Sequence, residues 1–425
     1  MGKEEVVYSK FRWFVFIALC LATATNAVTL IAPATLIGPM AKALGVSLGE
    51  TVGATMGTYN LFGAIACIVG GWFLDRFGVT RVWLVCLLVM IISSLLMPVF
   101  GTTIMGLAVL RSIQSIGGGP IMGSTVRLAA EWFPKSERGF VTGIQGVAMG
   151  LGIIIGLMLG PSFMQLTGDW AMTLACVSIV GIIALILTII IAVGPKAPKI
   201  EDAEVQTVAG SESAFKLAIK QPATWLVIIC IALAGWIFQA FNDIVPSYIA
   251  IDPPVGLGMG PMVSGSMMSA VQVVFMIGAI LSGFIVEKLF KGSSKTVSVI
   301  AFIGFAIFIF AIKFDAITAS SSTLLGCLLL AGFFNSFLTP VPMAFIAKNY
   351  PENVTGKLGG VAQGLGMFGG TVGVSLGATA LHMTNMYQLP ITIIVVVAVV
   401  GCLCAFGQNL PKVFAKNTNS TGIKC

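Results

Sequence analysis

Two side chains stand where apolar runs ought to carry none. Arg111 lies about two turns into the apolar segment near 105–130, and Asp243 lies well inside another near 223–250. An arginine near the centre of a bilayer costs roughly 2.5–3.5 kcal/mol on the insertion scale, so it is a functional candidate by default. Gln114 and Gly118 follow Arg111 at i+3 and i+7, on one helical face. That face could offer an anion-binding group to a wet cavity, or the guanidinium could be locked onto backbone carbonyls. Trp236 and Gln239 precede Asp243 by seven and four residues, again on one face, and Pro246 is expected to end or kink the helix just beyond. A carboxylate there could carry a proton, bind a cation or pair with a base across a cavity. Alternatively the span stops earlier and Asp243 belongs to the outer rim. Asn26, Tyr59, Asn60, Gln272 and Asn335 are neutral polar residues in other apolar runs. Each could line the same cavity or hydrogen-bond one helix to the next.

The elements that must position these groups follow from composition. The chain has 425 residues, of which 57% are hydrophobic and only 9% charged. A soluble domain carries about 25% charged residues, and disorder requires still more charge and less hydrophobicity, so both classes are excluded. The 50 glycines have no three-residue period, which excludes collagen. A membrane helix needs about 20 mainly apolar residues. Such segments occur near 13–38, 52–74, 82–100, 105–130, 140–166, 172–193, 223–250, 263–286, 296–314, 322–347, 357–382 and 389–409. Runs of this length also exclude a strand-built barrel. The expected fold is an all-α polytopic membrane protein with twelve transmembrane helices in two six-helix bundles. The bundles span 1–194 and 223–410, joined by a linker at 195–222 and followed by a tail at 411–425.

Nineteen of the 23 lysines and arginines fall in the terminal segments and in the loops on one side of these spans. Lysine and arginine concentrate in cytoplasmic loops, which places both termini inside, in an inner membrane. This sorting accounts for the +7 net charge without a nucleic-acid partner. The nine cysteines are dispersed, almost all in apolar runs, and read as small apolar residues. The single histidine, His382, stands at the outer end of the eleventh span as an interfacial residue. Neither a metal site nor a cofactor is expected. Gly373-Val-Ser375-Leu-Gly377 matches a hydrolase motif formally, but it lacks the strand-to-helix turn that chemistry requires.

The two halves repeat one another. Pro134 pairs with Pro351 at an offset that also pairs Gly152, Gly156 and Gly160 with Gly369, Gly373 and Gly377. Small residues four apart clear a helix face for close packing, so the fifth and eleventh spans are expected to be packing helices. After the second span stands Gly71-Trp-Phe-Leu-Asp75-Arg76-Phe-Gly78-Val-Thr-Arg81, and after the eighth Gly283-Phe-Ile-Val-Glu287-Lys288. In each, a glycine precedes an acid–base pair by four residues at a helix end on the basic side, where close helix contact is expected.

With these motifs the sequence resembles the major facilitator superfamily along its whole length, and its loop Glu131–Gly139 looks like that of organic-anion, monocarboxylate-type members. Arg111-Ser-Ile-Gln114-Ser115-Ile-Gly117 is similar to a second family motif, with serine at the first glycine. The resemblance implies a secondary transporter, not an enzyme, acting as a monomer by alternating access to a midplane site. Arg111, Gln114, Asn26, Tyr59, Asn60, Trp236, Gln239, Gln272 and Asn335 are then the candidate substrate contacts, and Asp243 the proton-coupling group. Gly71, Asp75, Arg76, Gly78, Arg81, Arg127, Glu131, Arg138, Gly283, Glu287 and Lys288 would form a cytoplasmic gate, in which Arg127 can pair with Glu131 at i+4. The expected substrate is a small organic anion, a carboxylate, moved with protons or against a counter-anion. Proton-coupled efflux of drugs or metabolites is the alternative, though Val147 and Met164-Gln165 depart from the antiporter glycine pattern. A non-transporting sensor is a remote third.

Overall fold

The computed structural model describes residues 9–196, 211–350 and 352–408, so the 411–425 tail and half of the 195–222 linker lie outside the described residues. Every regular element among them is helical. In chain order these are α1 (Arg12–Ile31), α2 (Ile37–Leu44), α3 (Leu48–Val52), α4 (Thr58–Phe77), α5 (Val79–Leu95), α6 (Met97–Phe100) and α7 (Ile104–Gly123). Then follow α8 (Thr125–Trp132), α9 (Lys135–Thr167), α10 (Trp170–Val177), α11 (Ile179–Val193), α12 (Ser211–Ile219) and α13 (Pro222–Ala250). The remainder are α14 (Gly260–Phe284), α15 (Ser294–Ala311), α16 (Asp315–Thr318), α17 (Ser321–Asn335), α18 (Pro340–Asn349), α19 (Glu352–Thr384) and α20 (Gln388–Phe406).

Several spans that read as single helices are interrupted. The first breaks after Ile31 into a 3₁₀ turn, Ala32–Thr35, because Pro33 has no N–H to continue the ladder. The second starts earlier than expected, at Leu48, and passes through a π turn at Gly53–Gly57 before α4. The fourth divides at Ser124, whose hydroxyl accepts from the Trp83 indole at 2.8 Å and donates to the Ile121 carbonyl at 2.7 Å. The tenth divides between Asn335 and Pro340. Pro246, by contrast, does not end its helix: α13 runs on to Ala250, which membrane helices tolerate where neighbours satisfy the freed groups.

Packing divides the chain into two compact units. The first comprises residues 1–204, 242–273 and 374–387. In it α4 packs along α7, α1 along α9, and α5 against α7 and α11. The α4–α7 approach is close enough that a Cβ on Gly119 would sit 2.6 Å from the Cys67 backbone nitrogen. In α9, a Cβ on Gly152 would lie 2.5 Å from the Ala24 carbonyl and one on Gly160 2.8 Å from that of Ala32. Between α4 and α5 the chain turns at Gly78 with φ +80°, a conformation that a side chain would strain. The motif glycine is thus a corner.

The second unit comprises residues 205–241, 274–373 and 388–425. Here α15 packs between α17 and α20, and Gly369 of α19 meets the Ala232 carbonyl of α13. The Tyr350 hydroxyl lies 2.8 Å from that of Thr224. Burial raises its pKa above the usual phenol value, against a smaller opposing effect of that hydrogen bond.

Candidate functional site

Within the first unit a polar cluster is built around Arg111, which is 1% exposed. Its Nε donates to the Thr55 carbonyl at 2.9 Å, and Nη1 donates to the Thr29 carbonyl at 2.7 Å and to Gln114 Oε1 at 2.8 Å. Nη2 donates to the Leu30 carbonyl at 3.0 Å. A guanidinium has five N–H groups, so a single N–H on Nη2 is left over among the described residues. The Tyr59 ring lies 4.4 Å from the guanidinium carbon, a cation–π contact, and its hydroxyl donates to Asn26 Oδ1 at 2.7 Å. Gln114 passes the network on to the Ser94 hydroxyl at 3.0 Å. The Ser115 hydroxyl donates to the Tyr59 carbonyl, pinning α7 to α4.

Asp243 belongs to this unit, is 0% exposed, and stands inside α13, seven residues before its end. It therefore lies within a helix and not on a rim. One turn on, the Ser247 hydroxyl donates to the Ala34 carbonyl at 2.6 Å, joining α13 to the segment after the α1 break. Gln272, 3% exposed, belongs to the first unit as well. Asn60 is less buried and donates to the Met56 carbonyl at 2.9 Å. Trp236, Gln239 and Asn335 belong to the second unit, where the Trp236 indole packs on Gly373 and the other two side chains are buried.

The candidate gate groups lie at the basic helix ends. Arg127 Nε meets Glu131 Oε1 at 2.8 Å, the i+4 pair expected, and an unforeseen ion pair joins Arg12 to Glu137 at 2.9 Å. In the second unit Glu287 pairs with Lys348 at 3.0 Å, and Lys288 is exposed beside it. Arg76 stacks over Trp72 and Phe77, and Arg81 lines an otherwise apolar groove of about 420 Å³ with Phe77, Val85 and Pro120. The side chains of Asp75 and Arg138 lie outside the described residues. The close helix contact expected at Gly71 and Gly283 is not made: no described atom lies within 4 Å of a Cβ at either. At the lysine-poor end, His382 Nδ1 lies 2.8 Å from the Ser47 hydroxyl, and Gly49 abuts the His382 backbone.

Sequence reasoning singled out neither Pro33, the π turn nor Ser247. Pro33 carried a readable signal, since it deprives the Thr29 carbonyl of its helical donor. The π turn had none.

Helices long and apolar enough to cross a bilayer recur along the described residues, and the first unit buries a guanidinium and a carboxylate; together they define a multi-pass membrane protein. The family model of the Major Facilitator Superfamily matches residues 15–315 and 255–421, and the chain belongs to that superfamily. Its class is therefore transport of small molecules, not enzymatic chemistry. The cis,cis-muconate transport protein of Acinetobacter baylyi is 27% identical over 77% of this chain and 78% of its own. The D-galactonate transporter of Escherichia coli is 23% identical over 79% and 81% respectively. A crystal structure of a bacterial homologue of the human lysosomal transporter Spinster, inward-facing and unoccupied, shares the fold. Its TM-score is 0.74 with 13% identity, covering 98% of this chain and 99% of that one.

Proposed function

We propose that the chain moves a small organic anion, a carboxylate, by alternating access, with Asp243 carrying a coupled proton or with a second anion exchanging in return. The observation that carries this reading is that an arginine, Arg111, and a carboxylate, Asp243, are both fully buried in the same compact unit. Isolated charges in a low-dielectric interior cost several kcal/mol each, so the pair holds the interior near neutrality. When Asp243 takes a proton, the Arg111 charge loses its compensation, and a substrate carboxylate restores it. Proton and anion then enter and leave together without a net change in buried charge. The relatives named for muconate and galactonate carry carboxylates, in keeping with this class.

On the same reading the basic side is cytoplasmic, the membrane is the inner one, and the monomer is the working unit. The halves 1–194 and 223–410 rock about the 195–222 linker. Uptake of radiolabelled dicarboxylates and sugar acids into proteoliposomes, with the pH of each side varied, tests the proposal. Accumulation should follow the proton gradient. Arg111→Ala should abolish it, and Asp243→Asn should leave exchange that ignores pH. Normal uptake of an identified acid by Arg111→Ala would refute the assignment.

A further inference from the structure

Arg111 makes three of its four hydrogen bonds to main-chain carbonyls, and all three lie where a helix is irregular. The Thr29 carbonyl should accept from the N–H of residue 33, which is Pro33 and has none. Arg111 Nη1 fills that place at 2.7 Å. The Leu30 carbonyl faces the 3₁₀ turn at Ala32–Thr35, across which the ladder shifts from four residues back, Ala32 N–H on the Val28 carbonyl, to three, Leu36 N–H on the Pro33 carbonyl. Arg111 Nη2 reaches it at 3.0 Å. The Thr55 carbonyl lies in the π turn, whose carbonyls collect side-chain donors: Thr58 Oγ1 on Ala54 at 2.7 Å, Asn60 on Met56 at 2.9 Å, and Arg111 Nε on Thr55 at 2.9 Å. Buried carbonyls left unpaired are costly, so a single side chain stabilises both interruptions.

Between the interruptions runs the segment 32–57, a 3₁₀ turn, α2, α3 and the π turn, at the lysine-poor end of the first unit. Its contacts with the later helices are small and polar or close-packed: Ser247 on the Ala34 carbonyl, Ile251 against Gly38, His382 on Ser47. A cavity of about 810 Å³ opens beside it, lined by Pro39, Lys42, Ser47, Ile251, Asp252 and Asn385. We propose that residues 32–57 form an outer cap hinged at the Pro33 break and at the π turn, and that Arg111 is the positioning residue that locks both hinges. Resting on the anion reading above, a carboxylate drawn to the guanidinium competes with these carbonyls and releases the cap. Occupancy of the site and mobility of the outer cap are then linked through one group.

The lock is tested without substrate by a double-mutant cycle. Arg111→Lys keeps the charge but cannot reach three carbonyls, whereas Pro33→Ala returns to Thr29 the N–H it lacks. The Tm loss caused by Arg111→Lys should shrink by about half in the Pro33→Ala background, because one of the carbonyls no longer needs the guanidinium. Strict additivity of the two changes overturns the lock. A second readout is the rate at which Ala43→Cys, on an exposed helical position within the cap, reacts with a membrane-impermeant maleimide. Pro33→Ala alone, with Arg111 intact, should raise that rate several-fold by straightening the hinge, and an unchanged rate also overturns it. Muconate or galactonate added to the Ala43→Cys protein tests the link to occupancy. A coupled cycle with labelling indifferent to either acid leaves the lock standing and sinks the linkage. If muconate uptake by the same preparation persists while labelling stays indifferent, the anion reading survives and the linkage alone has failed.

Discussion

Gly118 shows how little room the buried cluster leaves. A Cβ there would collide with Asn26 Oδ1 and come within 3.1 Å of the Tyr59 hydroxyl. Asn26 and Tyr59 cannot both keep their hydrogen bond and make way. Gly118→Ala should therefore destabilise the protein by about 1–3 kcal/mol, the usual range for overpacking, and a lowered Tm with weakened anion binding checks it. The sequence made the importance of this face legible, because Arg111, Gln114 and Gly118 share it. It did not show the purpose of the guanidinium. Residue type and spacing reveal a charge in an apolar run, but the three carbonyls it serves come from Thr29, Leu30 and Thr55, distant in the chain and silent in composition. Of the two readings left open for Arg111, backbone locking describes three of its five N–H donors, Gln114 takes a fourth, and among the described residues only one N–H is left over.

Among the elements, the spans were the most readable feature, since twenty apolar residues leave few alternatives to a helix in lipid. Their interruptions were less so. Pro33 breaks α1, yet Pro246 passes through α13 without ending it. Hydrophobic periodicity does not report which of these two outcomes a proline takes. The contact of α3 with α19 was likewise invisible, since Ser47, Gly49 and His382 are unremarkable in isolation. A Cβ on Gly49 would lie 2.5 Å from the Ala378 carbonyl and still nearer the His382 nitrogen. Gly49→Val should hold these helices apart, and crosslinking of cysteines placed at Ser47 and His382 should fall sharply relative to the same pair with Gly49 intact. Retained crosslinking would show that the contact tolerates the branched side chain.

At the scale of the whole molecule, 39 charged residues among 425 do two jobs. Most lie in loops and at helix ends, and nineteen of the bases mark one side of the spans. If that side is cytoplasmic, impermeant maleimide should label Asn385→Cys in intact cells but reach Lys291→Cys only after the membrane is opened. The reverse pattern would invert the orientation. The charge asymmetry was readable from the sequence because it depends only on order along the chain. The partition into packed units was not, since residues 242–273 and 374–387 join the first unit from within the second half of the sequence.

The length of α9 has a mechanical consequence. Its 33 residues measure about 50 Å at 1.5 Å per residue, against about 30 Å of hydrocarbon. Such a rod works as a pointer: a change in tilt of about 10° swings one end by roughly 9 Å relative to the other. Rearrangements too small to resolve at the buried cluster would be magnified at the basic end of this helix. That end is the place for a spin label or fluorophore meant to follow the transport cycle.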